Sequence, residues 1–185
     1  MDKTYRWYLL KKACSRLFLI RQVKHLLDRY SFIRIYFAFI RPVLEYGDVV
    51  WDNCTKKESD LLESVQIEAD RMITGLQCNS SRQKLCHELE WETLENRRNK
   101  HKLILFYNIL NGLTPAYFYE LVQPYLPRQS GYNIRNENNT FHPPFSRTIS
   151  FYDSFIPFTI RLWNTITITE SPSLNIFKNR LTHFY

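Results

Sequence analysis

Between Ser31 and Leu44 the chain is apolar on nearly every side of a helical wheel: Phe32, Ile33, Ile35, Tyr36, Phe37, Phe39, Ile40, Val43 and Leu44 leave almost no polar face. A helix of that kind belongs at the centre of a core, so the rest of the chain must supply its partners. It is too short for a bilayer, which needs about 20 apolar residues, and it carries Arg34 and Arg41. Those two arginines fall on one side of the helix and call for a carboxylate, a carbonyl or a phosphate. Ser31 is the expected N-cap. Pro42 removes the amide that would bond residue 38 and predicts a bend, and Gly47 suits the left-handed residue past the helix end.

The partners are helical too. From Tyr5 to Leu27, Leu10, Ala13, Leu17, Ile20 and Leu27 recur at helical spacing. Thr55-Lys56-Lys57-Glu58 has the pattern of a capping box and precedes Leu61, Leu62, Val65, Ala69, Met72 and Ile73, with Gly75 closing the run. Ser80 or Ser81 predicts a cap for a short helix through Leu89. Thr93 predicts another over Leu94–Asn111, and Thr114-Pro115 a cap and first-turn proline for a piece ending near Val122. Residues 123–150 change texture, with Pro124, Pro127, Pro143, Pro144 and an Asn-rich patch, and read as a long loop with a strand at Thr148–Tyr152. Phe155–Ile166 and Ser171–Phe184, the latter with Pro172 in its first turn, read as closing helices, while Trp51, Trp91 and Trp163 read as core anchors. The expected architecture is all-α, an irregular multi-helix bundle of about six to eight helices. Its expected divisions are a helical domain over 1–122, a loop over 123–150 and a helical tail over 151–185 that packs on the first part. With 185 residues, 44% hydrophobic and only four glycines, the chain can build a core and is not a disordered or collagen-like sequence.

Little in the sequence performs covalent chemistry. Two-metal phosphoryl transfer needs converging carboxylates, commonly adjacent ones, and the chain has no Asp-Asp pair. Tyr46-Gly47-Asp48 invites comparison with a polymerase Tyr-x-Asp-Asp, yet Val49 follows. Cys78 with Cys86-His87 lacks the spacing and the fourth ligand of a zinc site, and no Gly-x-Ser-x-Gly elbow or phosphate-cradling glycine loop occurs. No enzyme activity, metal or cofactor is therefore expected. The four cysteines form no CxxC pair, and Arg6, Lys11, Lys12 and Arg16 break up any apolar signal segment, so reduced thiols and an intracellular, nuclear or cytoplasmic, location are expected. The sequons at Asn53, Asn79 and Asn138 read as chance. No membrane association is expected.

Charge is the stronger lead. The formal net charge is +7, and residues 1–50 alone hold ten Lys/Arg against four Asp/Glu. Lys11, Lys12, Arg16, Arg21, Lys24 and Arg29 lie on the first helix or just beyond it, where each one that reaches a phosphate would release counterions. The same residues also suit a solvated outer surface. A second cluster, Arg97-Arg98-Asn99-Lys100-His101-Lys102, follows Glu88, Glu90, Glu92 and Glu95, and pairing along the helix would consume part of it.

Four stretches carry a family resemblance: Leu19-Ile-Arg-Gln-Val-Lys-His-Leu-Leu27, Ile40-Arg-Pro-Val-Leu-Glu-Tyr-Gly-Asp-Val-Val-Trp51, Leu62-Glu-Ser-Val-Gln66 and Ile73-Thr-Gly75. So do Glu90-Trp-Glu-Thr-Leu-Glu-Asn-Arg-Arg98, Phe106-Tyr-Asn-Ile-Leu-Asn-Gly-Leu-Thr-Pro115, Arg147-Thr148, Phe155-Ile-Pro-Phe-Thr-Ile-Arg-Leu-Trp-Asn164 and Ser171-Pro-Ser-Leu-Asn-Ile-Phe177. In this order they resemble the C-terminal region of jockey-like non-LTR retrotransposon reverse transcriptases. The resemblance spans nearly the whole chain. It implies the helical thumb and tail that follow the nuclease, fingers and palm, hence a non-catalytic element of an RNA-directed DNA polymerase that holds a template–primer, or RNA, by its backbone. Lys11, Lys12, Arg16, Arg21 and Lys24 are then the expected phosphate contacts, with Arg97 and Arg98 second. Ile67-Glu68-Ala69-Asp70-Arg71 departs from the family, which there carries basic and small residues. The alternatives are a helical protein-interaction module, whose apolar faces pack on the absent palm or on a second copy, and a truncated transposon fragment without a function of its own.

Overall fold

The computed structural model describes residues 3–75, 89, 91–125, 141–166 and 171–184, and the chain divides into two compact units, Met1–Arg98 and Asn99–Tyr185. The described residues are helical with no strand, so the fold is all-α. The expected helix between Ser80 and Leu89 lies mostly outside the described residues, as do Cys78, Cys86, His87 and positions 126–140 of the expected loop.

The first unit begins with α1 (Lys3–Val23), which ends four residues earlier than the apolar spacing implied and passes into a 3-10 turn, Lys24–Leu26. Helix α2 (Arg29–Ile35) starts at Asp28, not at Ser31: the Asp28 carboxylate accepts from the main-chain N–H of Tyr30 at 3.2 Å and of Ser31 at 3.4 Å. A carboxylate answers the positive end of a helix better than a hydroxyl does, and bonds from Ser31 and then Tyr30 hold the Asp28 carboxyl below its ordinary range. The bend expected at Pro42 takes the form of a π turn, Tyr36–Ile40, in which the Arg41 N–H reaches back to the Tyr36 carbonyl before α3 (Arg41–Glu45) resumes. Gly47 follows with φ +63° and opens the short α4 (Asp48–Trp51).

Only one side of this apolar stretch is central. Phe32, Tyr36, Ile40, Val43 and Leu44 are buried, whereas Phe37 is 36% and Phe39 57% exposed. Two flanking helices cover one face of a third, and the opposite face is left at the surface.

Helix α5 (Lys56–Thr74) has the capping box in full, with Thr55 Oγ1 accepting from the Glu58 N–H and the Glu58 carboxylate accepting from the Thr55 N–H at 2.8 Å. Its far end closes on Gly75, φ +71°, whose N–H bonds the Arg71 carbonyl. Leu62, Val65, Ala69, Met72 and Ile73 meet Leu9, Ala13, Leu17 and Ile20 of α1 in one core that also holds Trp51 and Leu94.

Helix α6 (Leu94–Leu110) is capped by Thr93, whose hydroxyl accepts from the Asn96 N–H at 3.2 Å. The division between the two compact units falls inside this helix, at Arg98: Leu94 belongs to the first core, while Leu103, Phe106, Tyr107 and Ile109 belong to the second. The second unit adds α7 (Ala116–Val122), a 3-10 turn Gln123–Tyr125, α8 (Ile149–Tyr152), α9 (Phe155–Thr165) and α10 (Leu174–Phe184). Tyr107 stacks on Phe177 at 4.5 Å, Phe106 lies 5.1 Å from Trp163, and the Asn164 side chain bonds both main-chain groups of Phe141. Three local expectations shift. Thr148–Tyr152 is not a strand, since the Thr148 hydroxyl accepts from the Phe151 N–H and caps α8. Pro115 sits at the N-cap position of α7 and not in its first turn. Ser173, two residues after Ser171, accepts from the Ile176 N–H at the start of α10.

Candidate nucleic-acid interface

Helix α1 presents two unlike sides because its apolar residues step by three or four. Leu9, Ala13, Leu17 and Ile20 turn inward, along with Arg6, which donates to the Trp51 carbonyl at 3.2 Å and Asn53 at 2.8 Å and pairs with Glu58 at 3.3 Å. Lys11 lies on the opposite side, with Lys24 beyond it on the 3-10 turn, both exposed. Lys12 is half-buried and its ammonium sits 5.5 Å from the Tyr8 ring. Trp7, Tyr8, Phe18 and Leu19 stand exposed between these cations.

The arginines of α1 are engaged within the fold. Arg16 donates to the main-chain carbonyl of Phe39 in the π turn, and Arg21 pairs with Glu68 of α5. The other oxygen of Glu68 lies 3.8 Å from Arg71. Between α1 and α5 runs an open groove of about 680 Å³, lined by Lys11, Cys14, Phe18, Arg21, Glu68 and Arg71 among others.

Arg97 and Arg98, the second pair of expected phosphate contacts, are 6% and 2% exposed and face inward. The Arg97 Nε lies 2.8 Å from Glu45 and its Nη2 donates to Gln66 at 2.6 Å, while Arg98 meets Asp52 at 2.8 Å and Ser59 at 2.7 Å. The sequence suggested partners one turn away on the same helix. The carboxylates instead arrive from α3 and from the turn after α4, as burial of a guanidinium in a core requires.

Around Arg97 lies a polar interior that sequence reasoning missed. Gln66 also accepts from the Tyr36 hydroxyl at 3.3 Å and donates to the Glu92 carbonyl at 3.0 Å, and Glu63 accepts from the Leu94 N–H at 3.3 Å. Burial pushes the Tyr36 phenol up to about 12. Asp70 is 1% exposed and, among the described residues, neither carboxylate oxygen is hydrogen-bonded; burial raises its pKa to about 7 against the pull of Arg97. One signal was present: Glu63, Gln66 and Asp70 repeat with the spacing of Leu62, Val65 and Ala69, a polar row beside the apolar one.

The remaining singled-out residues have local roles. Arg41 holds Glu45 through two contacts at 2.8 and 3.0 Å, whereas Arg34 lies 4.4 Å over the Tyr30 ring. Asp48 is buried and accepts from the Val49 N–H at 2.8 Å. Trp51 and Trp163 are buried, and Trp91 is half-buried, stacked 4.6 Å from Tyr36. Among the described residues no three His, Cys, Asp or Glu side chains gather where a metal ion could be held, and no helix is long and apolar enough to cross a membrane. No family model, curated protein or solved structure matches the chain.

Proposed function

We propose that this chain is a thumb-like helical module of a retroelement RNA-directed DNA polymerase, which holds a template–primer duplex by its phosphates and contributes no catalytic group. The motif series read from the sequence supports the family, and the all-α architecture is what a thumb requires. The observation that carries the reading is the outer side of α1 and the turn after it, where Lys11 and Lys24 face solvent, Lys12 lies half-buried beside Tyr8 and, among the described residues, none of the three is held in an ion pair. Cations left in water are available to replace the counterions of a polyanion. Arg97 and Arg98, committed to Glu45 and Asp52, no longer belong to the contact set.

The test is a salt series of binding to a labelled RNA–DNA primer–template. Affinity should fall steeply as salt rises, and changing Lys11, Lys12 and Lys24 together to Gln should lower the log–log slope by about two to three. Absence of binding at low salt would end this reading. Primer extension with magnesium should yield no product above a no-protein control.

A second reading, a module that packs on protein, is favoured by the exposed Trp7, Phe18, Leu19, Leu26 and Phe39. It is compatible with the first, since a thumb also docks on its polymerase.

A further inference from the structure

We infer that the groove between α1 and α5 is a seat for a backbone phosphodiester, in which the Glu68 carboxylate stands where the phosphate would bind. This rests on the nucleic-acid reading and deepens it by naming the site and its gate.

Lys11, Cys14, Phe18 and Arg21 follow one another at steps of three, four and three along α1, so they line one wall. Glu68 and Arg71, one turn apart on α5, line the other, and the buried Leu17 and Val65 form an apolar floor. The walls hold three cations and one carboxylate. That carboxylate bridges two guanidinium groups through different oxygens, Arg21 on Oε1 and Arg71 on Oε2. A phosphodiester offers the same pattern of two charged oxygens sharing one negative charge, and planar guanidinium groups suit it as they suit a carboxylate.

The magnitudes favour exchange. The Arg21 and Glu68 side chains are 52% and 36% exposed, so their pairing is of the surface kind, worth about 0–1 kcal/mol. A phosphate that enters gains the same two arginines and Lys11 and also releases condensed counterions, which the carboxylate cannot. Glu68 has only to rotate toward water. Glu68 thus acts as a brake on binding.

The experiment uses the full chain and a labelled RNA–DNA primer–template, read by fluorescence anisotropy across a salt series, with a melting midpoint for each variant. Glu68→Gln keeps the side-chain shape and removes the competing charge, and it should tighten binding roughly three- to tenfold. Arg71→Gln should weaken binding and lower the salt slope by about one. Unchanged or weaker binding by a folded Glu68→Gln, while the lysine variants still weaken it, overturns the groove and leaves the wider reading standing. Should Glu68→Gln fail to fold, Arg71→Gln decides alone: an unchanged slope overturns the inference. Inorganic phosphate tested by itself separates the sources, because binding of the free ion as tightly as the oligonucleotide would overturn a seat for polymer. No binding of the primer–template by the wild type ends both readings together.

Discussion

Asp70 is buried with no donor for either oxygen among the described residues, and its pKa of about 7 in the folded chain exceeds the value of about 3.9 expected once unfolded. Folding therefore takes up a proton at Asp70 between these values, so this residue's contribution to stability is fully present below about pH 4 and is lost as pH rises through 7. Asp70→Asn should flatten that slope. Denaturant midpoints should show a gain of about 1–2 kcal/mol near pH 8 and none near pH 4, and equal effects at both would refute the assignment. Single residues such as this were the least legible from sequence. A lone Asp in an amphipathic helix reads as solvated, and the arrival of Arg97 from α6, beside Glu63 of its own helix, is what marks the interior site. The same blindness covered Arg97 and Arg98, whose partners Glu45 and Asp52 are remote in the chain.

Elements were more legible, because their signals are local. The capping box at Thr55 and Glu58 forms as its spacing dictates, and Glu58 also reaches Arg6 at 3.3 Å. Thr55→Ala should therefore cost about 1 kcal/mol by equilibrium unfolding, whereas Glu58→Ala should cost more, since it leaves the mostly buried Arg6 without its carboxylate. Equal losses would mean that the Arg6 pair adds nothing. Periodicity also located α1, α5, α6 and the two closing helices within a few residues. It failed where two caps compete, as Asp28 with Ser31, and at Thr148–Tyr152, where β-branched and aromatic residues resemble a strand but the Thr148 hydroxyl turns the chain into α8. The side of the Phe32–Leu44 stretch that reaches solvent was illegible too, since composition states how apolar a segment is and not how many neighbours cover it.

At the scale of the molecule, charge and apolar surface respond to salt with opposite sign. A formal +7 drives binding to polyanions and repels a second copy, and both effects are screened as ionic strength rises. The exposed Trp7, Phe18, Leu19 and Leu26 drive association that salt does not screen. Sedimentation velocity should accordingly show a monomer at low salt and weak self-association at high salt, relieved by Phe18→Ser with Leu19→Ser. Association strongest at low salt would instead point to ionic contacts between copies. The formal charge also overstates what a ligand meets, for Arg6, Arg41, Arg97 and Arg98 each face an internal acid. Arg16 is bound differently: its partner is the Phe39 carbonyl, in the turn that precedes Pro42. Because that acceptor is main chain, no replacement of the Phe39 side chain removes it, and sequence drift at this outward position can remodel the exterior while the tether between α1 and the π turn persists.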